Sequence, residues 1–461
     1  MKRLIAVFIL ITLLFSCSPS KTEYNTSETL SAEQVPALIG DTVYGPKEIY
    51  ELNALDEDFL DQSVLLPYYK DKTAEQLKED FINNPALYDF AYPKNCAVLP
   101  ENVCFGNGNF LYDKLTGGIT RTCKDPQCRH FSKAMYGLSG KCPLINSRWW
   151  VSKDRLFTSV WDFTTQDMTA INFTSDFSFS DYYYCTDLPK ASAVRAVAED
   201  GDLILEKQEY VSYIDENGVQ KRKYSSFEML KFDPATGGTK SLYRTESVCG
   251  TDCIGGAVFC RPAGGDPACV IYDNFSKTAY IENAKRVLTF FENKICYSDS
   301  ATGEAICFDV HTGEKAKWAY KDSPLTKIYT SFYCGGKLYF TRYFSADELT
   351  GSNLFDESQA RAALKAADAG EYGFYIPVVF RCNTDGSDIE PVYYVHGYNI
   401  WNITVDGEVM YLYGYTATGG DRFVAYDMSS GVELRISVPI SEYHYPGEYD
   451  YDENWLSGFR R

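Results

Sequence analysis

Cys307-Phe-Asp309-Val-His-Thr-Gly313 is a short strand that runs into an acidic turn and ends on glycine, and the chain returns to this unit again and again. Close copies are Phe110-Leu-Tyr-Asp113-Lys-Leu-Thr-Gly117, Lys231-Phe-Asp233-Pro-Ala-Thr-Gly237, Arg381-Cys-Asn383-Thr-Asp-Gly386 and Ala425-Tyr-Asp427-Met-Ser-Ser-Gly431; weaker ones end at Asp187 and Asp273. The acidic residue caps turn amides and the glycine takes the positive φ that other residues resist, so each unit reads as a tight hairpin. Successive copies lie 74, 46, 40, 36, 74 and 44 residues apart. The shorter spacings match one four-stranded propeller blade, and the longer ones leave room for insertions. Seven copies predict an all-β chain, a β-propeller of about seven blades, whose radial repetition protects its sheet edges. A β-helix or two sandwiches is the competing arrangement for so irregular a spacing. One insertion is explicit: from Asp356 to Gly370 an Asp-x-x-Gln capping box, an alanine and leucine face and a terminal glycine predict a helical loop near 355–370.

Composition agrees with strands. Of 461 residues, 45% are apolar, and Tyr (37) and Phe (28) far outnumber Met (6). The formal charge of -19 gives a phosphate backbone no basic surface to condense on, which argues against nucleic-acid binding.

The first residues carry an address. Lys2 and Arg3 precede the run Leu4 to Phe15, apolar apart from Thr12 and too short for a membrane span but suited to a secretory signal. The run closes on Leu14-Phe15-Ser16-Cys17, which resembles the bacterial lipobox. That resemblance implies cleavage before Cys17 and acylation of its sulfur and new amino terminus, by a diacylglycerol and a further chain such as palmitate. The expected organisation is a signal peptide over 1–16, a polar tether over 17–34, a partly helical segment over 35–95 and the propeller over 96–461. Within the third part, Thr73-Ala-Glu-Gln76 reads as a capping box and Asn84-Pro85 as a stop.

Two further motifs carry a family resemblance. Phe380-Arg-Cys-Asn-Thr-Asp385-Gly386-Ser387 is similar to the strand and turn of bacterial lipoprotein propellers related to the YWTD-type blades of low-density-lipoprotein-receptor proteins. Cys123-Lys-Asp-Pro-Gln-Cys128-Arg-His130, followed by Cys142-Pro143, resembles an element of uncharacterised propeller lipoproteins of anaerobic Firmicutes, although here eleven residues separate His130 from Cys142 and Phe131 replaces the acidic residue of the pattern. The resemblance implies a propeller anchored at the cell surface and no established activity.

Cys123, Cys128, His130 and Cys142 have the donor types of a Cys3His structural zinc site; the alternative is a Cys123–Cys128 or Cys128–Cys142 disulfide. Fourteen cysteines remain once Cys17 is set aside, an even number in an exported chain. Cys260 with Cys269 and Cys296 with Cys307 flank predicted turns symmetrically, and Cys96 with Cys104 and Cys249 with Cys253 are close in sequence; each pair is a disulfide candidate, with a buried thiol as the alternative. Cys185, Cys334 and Cys382 are expected in the core. The four histidines, at 130, 311, 396 and 444, lie in no recognisable nucleophile motif. These readings lead to a membrane-anchored binding or scaffold protein with a protein or glycan partner at the cell surface. A carbohydrate-active enzyme using carboxylates in the propeller funnel is the rival.

Overall fold

The computed structural model describes residues 46–88, 96–106, 109–124, 148–162, 167–173, 177, 179, 182–185, 188–189, 193–254, 256–264, 266–345, 348, 376–394, 398–416 and 420–438. It begins with β1 (Glu48–Asn53), helix α1 (Ala74–Asn83) and a 3-10 turn at Pro85–Tyr88. Seven sheets follow in chain order. Blade 1 is β2 (Ala97–Val98), β3 (Asn102–Phe105), β4 (Phe110–Asp113) and β5 (Ile119–Arg121). Blade 2 is β6 (Arg148–Val151), β7 (Leu156–Asp162), β8 (Asp167–Phe173) and β9 (Tyr182–Cys185). Blade 3 is β10 (Ala193–Val197), β11 (Leu203–Ile214), β12 (Gln220–Phe232) and β13 (Thr239–Thr245). Blade 4 is β14 (Cys249–Ile254), β15 (Ala257–Pro262), β16 (Ala268–Tyr272) and β17 (Lys277–Ile281). Blade 5 is β18 (Ala284–Phe291), β19 (Lys294–Asp299), β20 (Ala305–Asp309) and β21 (Lys315–Ala319). Blade 6 is β22 (Ser331–Cys334), β23 (Lys337–Phe344), β24 (Ile376–Asn383) and β25 (Glu390–Tyr394). Blade 7 is β26 (Tyr398–Asp406), β27 (Val409–Thr416), β28 (Asp421–Asp427) and β29 (Val432–Val438). Each sheet is an antiparallel meander in sequence order, which is the seven-bladed propeller expected from the repeat.

The repeated turns occupy one structural position. Asp113, Asp233, Asp309 and Asp427 all stand between the third and fourth strands of their blades. In the Asp309 turn the carboxylate accepts from the amides of His311 and Thr312, both at 2.9 Å, and Gly313 sits at φ 74°, a conformation a side chain resists. Two parts of the repeat reading need correction. Tyr184 and Cys185 of the weak copy ending at Asp187 belong to β9, the fourth strand of blade 2, whose third strand already ends at Phe173. Conversely, Asp299-Ser-Ala-Thr-Gly303 forms the same capped turn between β19 and β20, second and third strands of blade 5, with the amides of Ala301 and Thr302 on Asp299 at 2.9 and 2.8 Å. The motif therefore marks a tight hairpin, which a blade can use more than once.

The segment before the blades is more than helical. Beta strand β1 pairs parallel to β29 and extends blade 7 to five strands, tying the start of the described chain to its end. Thr73 and Gln76 form the expected reciprocal capping box on α1, and Leu77 and Phe81 bury its inner face. Phe59, Leu66, Tyr69, Leu77, Phe81 and Leu87 all enter one apolar cluster with blades 1, 2 and 7. Each such burial contributes on the order of 1.5–3 kcal/mol, so this segment is part of the core. The helical loop expected near 355–370 and the segments 1–16 and 17–34 lie outside the described residues.

Candidate functional site: the axial funnel

The first strand of every blade lies nearest the axis, and its inner edge has no further strand to pair with. Beta strands β10, β14, β18, β22 and β26 line a cavity of about 1240 Å³, with Asn83 to Ala86 and Tyr88 entering it from the N-terminal segment. This segment lies at the end where the first strands finish. Asn84 donates to the carbonyl of Val405 at 3.3 Å, and the 3-10 turn touches β6, β22 and β26. Three blades thus hold a plug at one end of the funnel.

Carboxylates near the plug are each occupied by their own partner. Asp80 pairs with Lys72 at 2.7 Å, Glu292 accepts from the Tyr333 hydroxyl at 2.9 Å, and Asp406 pairs with Lys114 at 2.7 Å. Further along the wall, Glu206 is buried and accepts from Arg195 at 2.7 Å, Thr251 at 2.8 Å and Gln208 at 2.6 Å.

The opposite end has a different chemistry. Asp252 on β14 has an enclosed Oδ2 that receives no hydrogen bond. Burial raises its carboxyl above the ordinary value despite the pull of Arg261, Arg286 and Arg195 around it. Arg261 is directly opposite Gly250, and a Cβ on that glycine would lie 3.4 Å from the guanidinium. The missing side chain leaves room for Arg261 to lie across the innermost strand and donate to the carbonyl of Lys285 in blade 5, next to Arg286. Tyr329 follows along the rim, 53% exposed, with its ring edge-on to Tyr343 at 4.9 Å; Trp401, 39% exposed, rests on Tyr415 at 4.6 Å. Tyr343 also accepts from the amide of Ile400 at 3.1 Å, which ties the support of Tyr329 to the strand that carries Trp401. The arc from Asp252 to Trp401 spans four adjacent blades.

None of these rim residues stands out in the sequence. Their position is recoverable only by counting back from each Asp turn to the first strand of its blade, and the misplaced copy near Asp187 spoils that count for blade 2.

The cysteines chosen from sequence fall into distinct situations. Cys296 and Cys307 are directly opposite on β19 and β20 and are joined by a disulfide. Cys260 and Cys269 are directly opposite on β15 and β16 in the same way but stand as thiols; burial pushes the Cys269 thiol up to about 12. Cys260 instead shares a hydrogen bond with Cys249, and burial raises its thiol strongly. Cys249 and Cys253 occupy one extended strand, four positions apart, so at ~3.3 Å per residue they sit about 13 Å from each other, beyond disulfide reach. Cys104 is opposite Ala97, beside Cys96, and both cysteines are buried thiols. Cys382 is core, whereas Cys334 faces the funnel and Cys185 is half-buried. Cys123 packs against the blade 1 cluster; Cys17, Cys128, His130 and Cys142 lie outside the described residues. His311 occupies an exposed turn, its ring 6.4 Å from that of Tyr272.

No protein family and no curated protein matches this chain. Among solved structures it is similar to the β-propeller domain of the Trilobed protease from Pyrococcus furiosus, with 12% identity and a TM-score of 0.42 over 77% of this chain and 100% of that one. It is also similar to a prolyl endopeptidase, with 10% identity and a TM-score of 0.41 over 81% of this chain and 51% of that one, so the chain spans about half that protein's length. A third is the acylaminoacyl peptidase of Pyrococcus horikoshii, at 10% identity and a TM-score of 0.40 over 81% of this chain and 55% of that one.

Proposed function

We propose that this protein is a binding protein of the extracytoplasmic face of a bacterial membrane, anchored through acyl chains on Cys17, whose propeller funnel receives a ligand from the cell surface. The observation that carries the reading is the axial cavity of about 1240 Å³, closed toward one end by the Asn83–Tyr88 plug. Its volume exceeds the ~300–1,000 Å³ of ordinary small-molecule pockets. The rival reading, an enzyme acting on carbohydrate, requires a pair of carboxylates set about 5–9.5 Å apart across a scissile bond. Asp80, Glu206, Glu292 and Asp406 are engaged by separate partners and Asp252 sits among Arg195, Arg261 and Arg286, an arrangement that favours binding. A structural zinc on Cys123, Cys128, His130 and Cys142 belongs to the same proposal; the packing of Cys123 on blade 1 supports a role in pinning its loop there.

The test is a thermal-shift survey of oligosaccharides and peptides on the full chain, repeated with Ser331→Trp, which places an indole in the funnel. Ligands that raise the melting temperature of the wild type and leave the variant unmoved are expected. Absence of any stabilising compound, or equal stabilisation of both proteins, refutes the funnel as a ligand site.

A further inference from the structure

We infer that the long hairpin of blade 3, formed by β11 and β12, is a docking arm for an acidic polypeptide segment, which adds to the free edge of β12 as an extra strand. This surface lies outside the funnel and does not depend on the reading of the funnel as a ligand site.

Beta strands β11 and β12 are the two longest of the described strands, at 12 and 13 residues. Their neighbours cover only the inner part: β10 pairs with Leu203 to Glu206, and β13 with Phe227 to Phe232. From Lys207 to Ser226 the hairpin pairs with itself alone, an arm roughly 25 Å long at ~3.3 Å per residue. First strands finish at the plug, so second strands run away from it and the arm projects from the open end of the funnel. Its base is fixed, because the Tyr224 hydroxyl donates to the carbonyl of Ser247 at 3.1 Å and the Tyr224 ring stands edge-on to Tyr210 at 5.8 Å. Between Gln220 and Tyr224 the pairing with β11 is unbroken, and no described strand lies on the other side of this edge. A regular edge held in advance has little ordering left to lose on association.

Two features mark the arm as a recognition surface. Tyr210, Val211, Tyr213, Ile214 and Val219 are all exposed on it, a concentration of apolar side chains that a solvated turn does not require. Lys221-Arg222-Lys223 is the one run of three consecutive cations in a chain of net charge -19. The register sets Lys221 opposite Tyr213 and Lys223 opposite Val211, on one face. Both lysines are exposed, and the contact of Lys221 with Asp215 at 2.6 Å is a surface ion pair, weak enough to be exchanged.

The charge chooses the occupant. A second copy pairing antiparallel along this edge about Arg222 would set Lys221 against Lys223, and like charges directly opposite destabilise a strand pair. A strand with Asp or Glu at alternate positions places a carboxylate opposite each lysine, while its backbone satisfies the edge amides and carbonyls. Its intervening side chains then lie on the face that carries Tyr210, Ile214 and Tyr224, where apolar residues are matched.

The experiment is fluorescence anisotropy of the full chain with a labelled peptide of alternating glutamate and valine. Its controls are the same peptide N-methylated at two adjacent central residues, which obstructs both edges and keeps the charge, a lysine–valine peptide, and polygalacturonate as competitor. The acidic peptide is expected to bind, the methylated and lysine peptides at least about tenfold more weakly, and polygalacturonate not to displace it. Lys221→Glu with Lys223→Glu should weaken the acidic peptide by at least about tenfold with an unchanged unfolding midpoint; Lys223→Gln, a milder change at an exposed position, should weaken it by roughly threefold. Ser331→Trp, which fills the funnel, should leave binding as it is. No binding of the acidic peptide at about 1 mM, or indifference to both lysine variants, overturns the inference. Equal binding of the methylated peptide overturns strand addition, displacement by polygalacturonate overturns a polypeptide partner, and loss of binding in Ser331→Trp assigns the peptide to the funnel and overturns the arm.

Discussion

Replacing Lys114 with methionine should open the seam at which the propeller ring closes. Lys114 lies in the Asp113 turn of blade 1, is 1% exposed, and donates to the carbonyls of Leu99 at 2.7 Å and Pro100 at 3.1 Å and to Asp406 of blade 7 at 2.7 Å. Asp406 also accepts from Tyr69 of the N-terminal segment at 3.2 Å, and Tyr69 shares a 2.6 Å hydrogen bond with Tyr411 of blade 7. One cation thus joins the first blade, the last blade and the plug-bearing segment. Methionine keeps most of the volume, so packing changes little, but Asp406 is left buried with a hydroxyl as its only remaining partner on that oxygen. Removing one member of a buried ion pair costs about 3–5 kcal/mol. The stranded carbonyls of Leu99 and Pro100 place the expected loss toward the upper end of that range. A double variant, Lys114→Met with Asp406→Leu, removes both charges and should recover at least ~2 kcal/mol of the loss, since apolar replacement of a whole buried pair is often neutral or stabilising. The assay is urea unfolding followed by tryptophan fluorescence for the wild type, both single variants and the double. A loss below ~1 kcal/mol for Lys114→Met, or a double variant no better than the worse single one, would refute the argument that this pair closes the ring.

Three further outcomes are expected. Asp427→Ala strands the amide of Tyr68, held at 2.8 Å, and those of Ser429 and Ser430, and should cost about 1–3 kcal/mol; although burial alone would raise the Asp427 carboxyl, the Ser429 and Ser430 hydroxyls and the Tyr68 amide hold it below the usual range, so its contribution is present above the ordinary carboxylate value and fades as pH falls through the lowered one, and an unfolding midpoint whose acid dependence is identical in wild type and variant would contradict this. Cys17→Ala should release the protein to the medium or leave an uncleaved precursor, whereas mass spectrometry finding an unacylated wild-type Cys17 rules out the anchor. Protein purified without chelator should contain about one zinc per chain, lost in Cys128→Ser; peptide mapping that instead finds a Cys123–Cys128 or Cys128–Cys142 bond assigns those residues to a staple.

Whatever rests on neighbours along the chain was legible from the residues alone. An aspartate that caps amides two and three residues on, with a glycine at positive φ, builds the same turn wherever it occurs, so Asp113, Asp233, Asp309 and Asp427 reveal the blades before any contact between blades is known. The reciprocal caps of Thr73 and Gln76 are equally local. Symmetric spacing about a turn likewise brings Cys296 opposite Cys307 and Cys260 opposite Cys269, but local pairing does not fix the redox outcome: one pair is bonded, while Cys260 turns to Cys249 on the neighbouring strand. Long-range packing settled the rest. Beta strand β1 has no long apolar run to announce it, because it extends an edge from outside and keeps most of its side chains in solvent. Its partner β29 lies nearly four hundred residues away, as Lys114 lies from Asp406 by 292. The rim was hidden for the same reason: Asp252, Val287, Tyr329 and Trp401 come from four blades and acquire a common surface when seven locally specified meanders close around one axis, since ring closure is a property of blade packing that no single stretch of sequence contains.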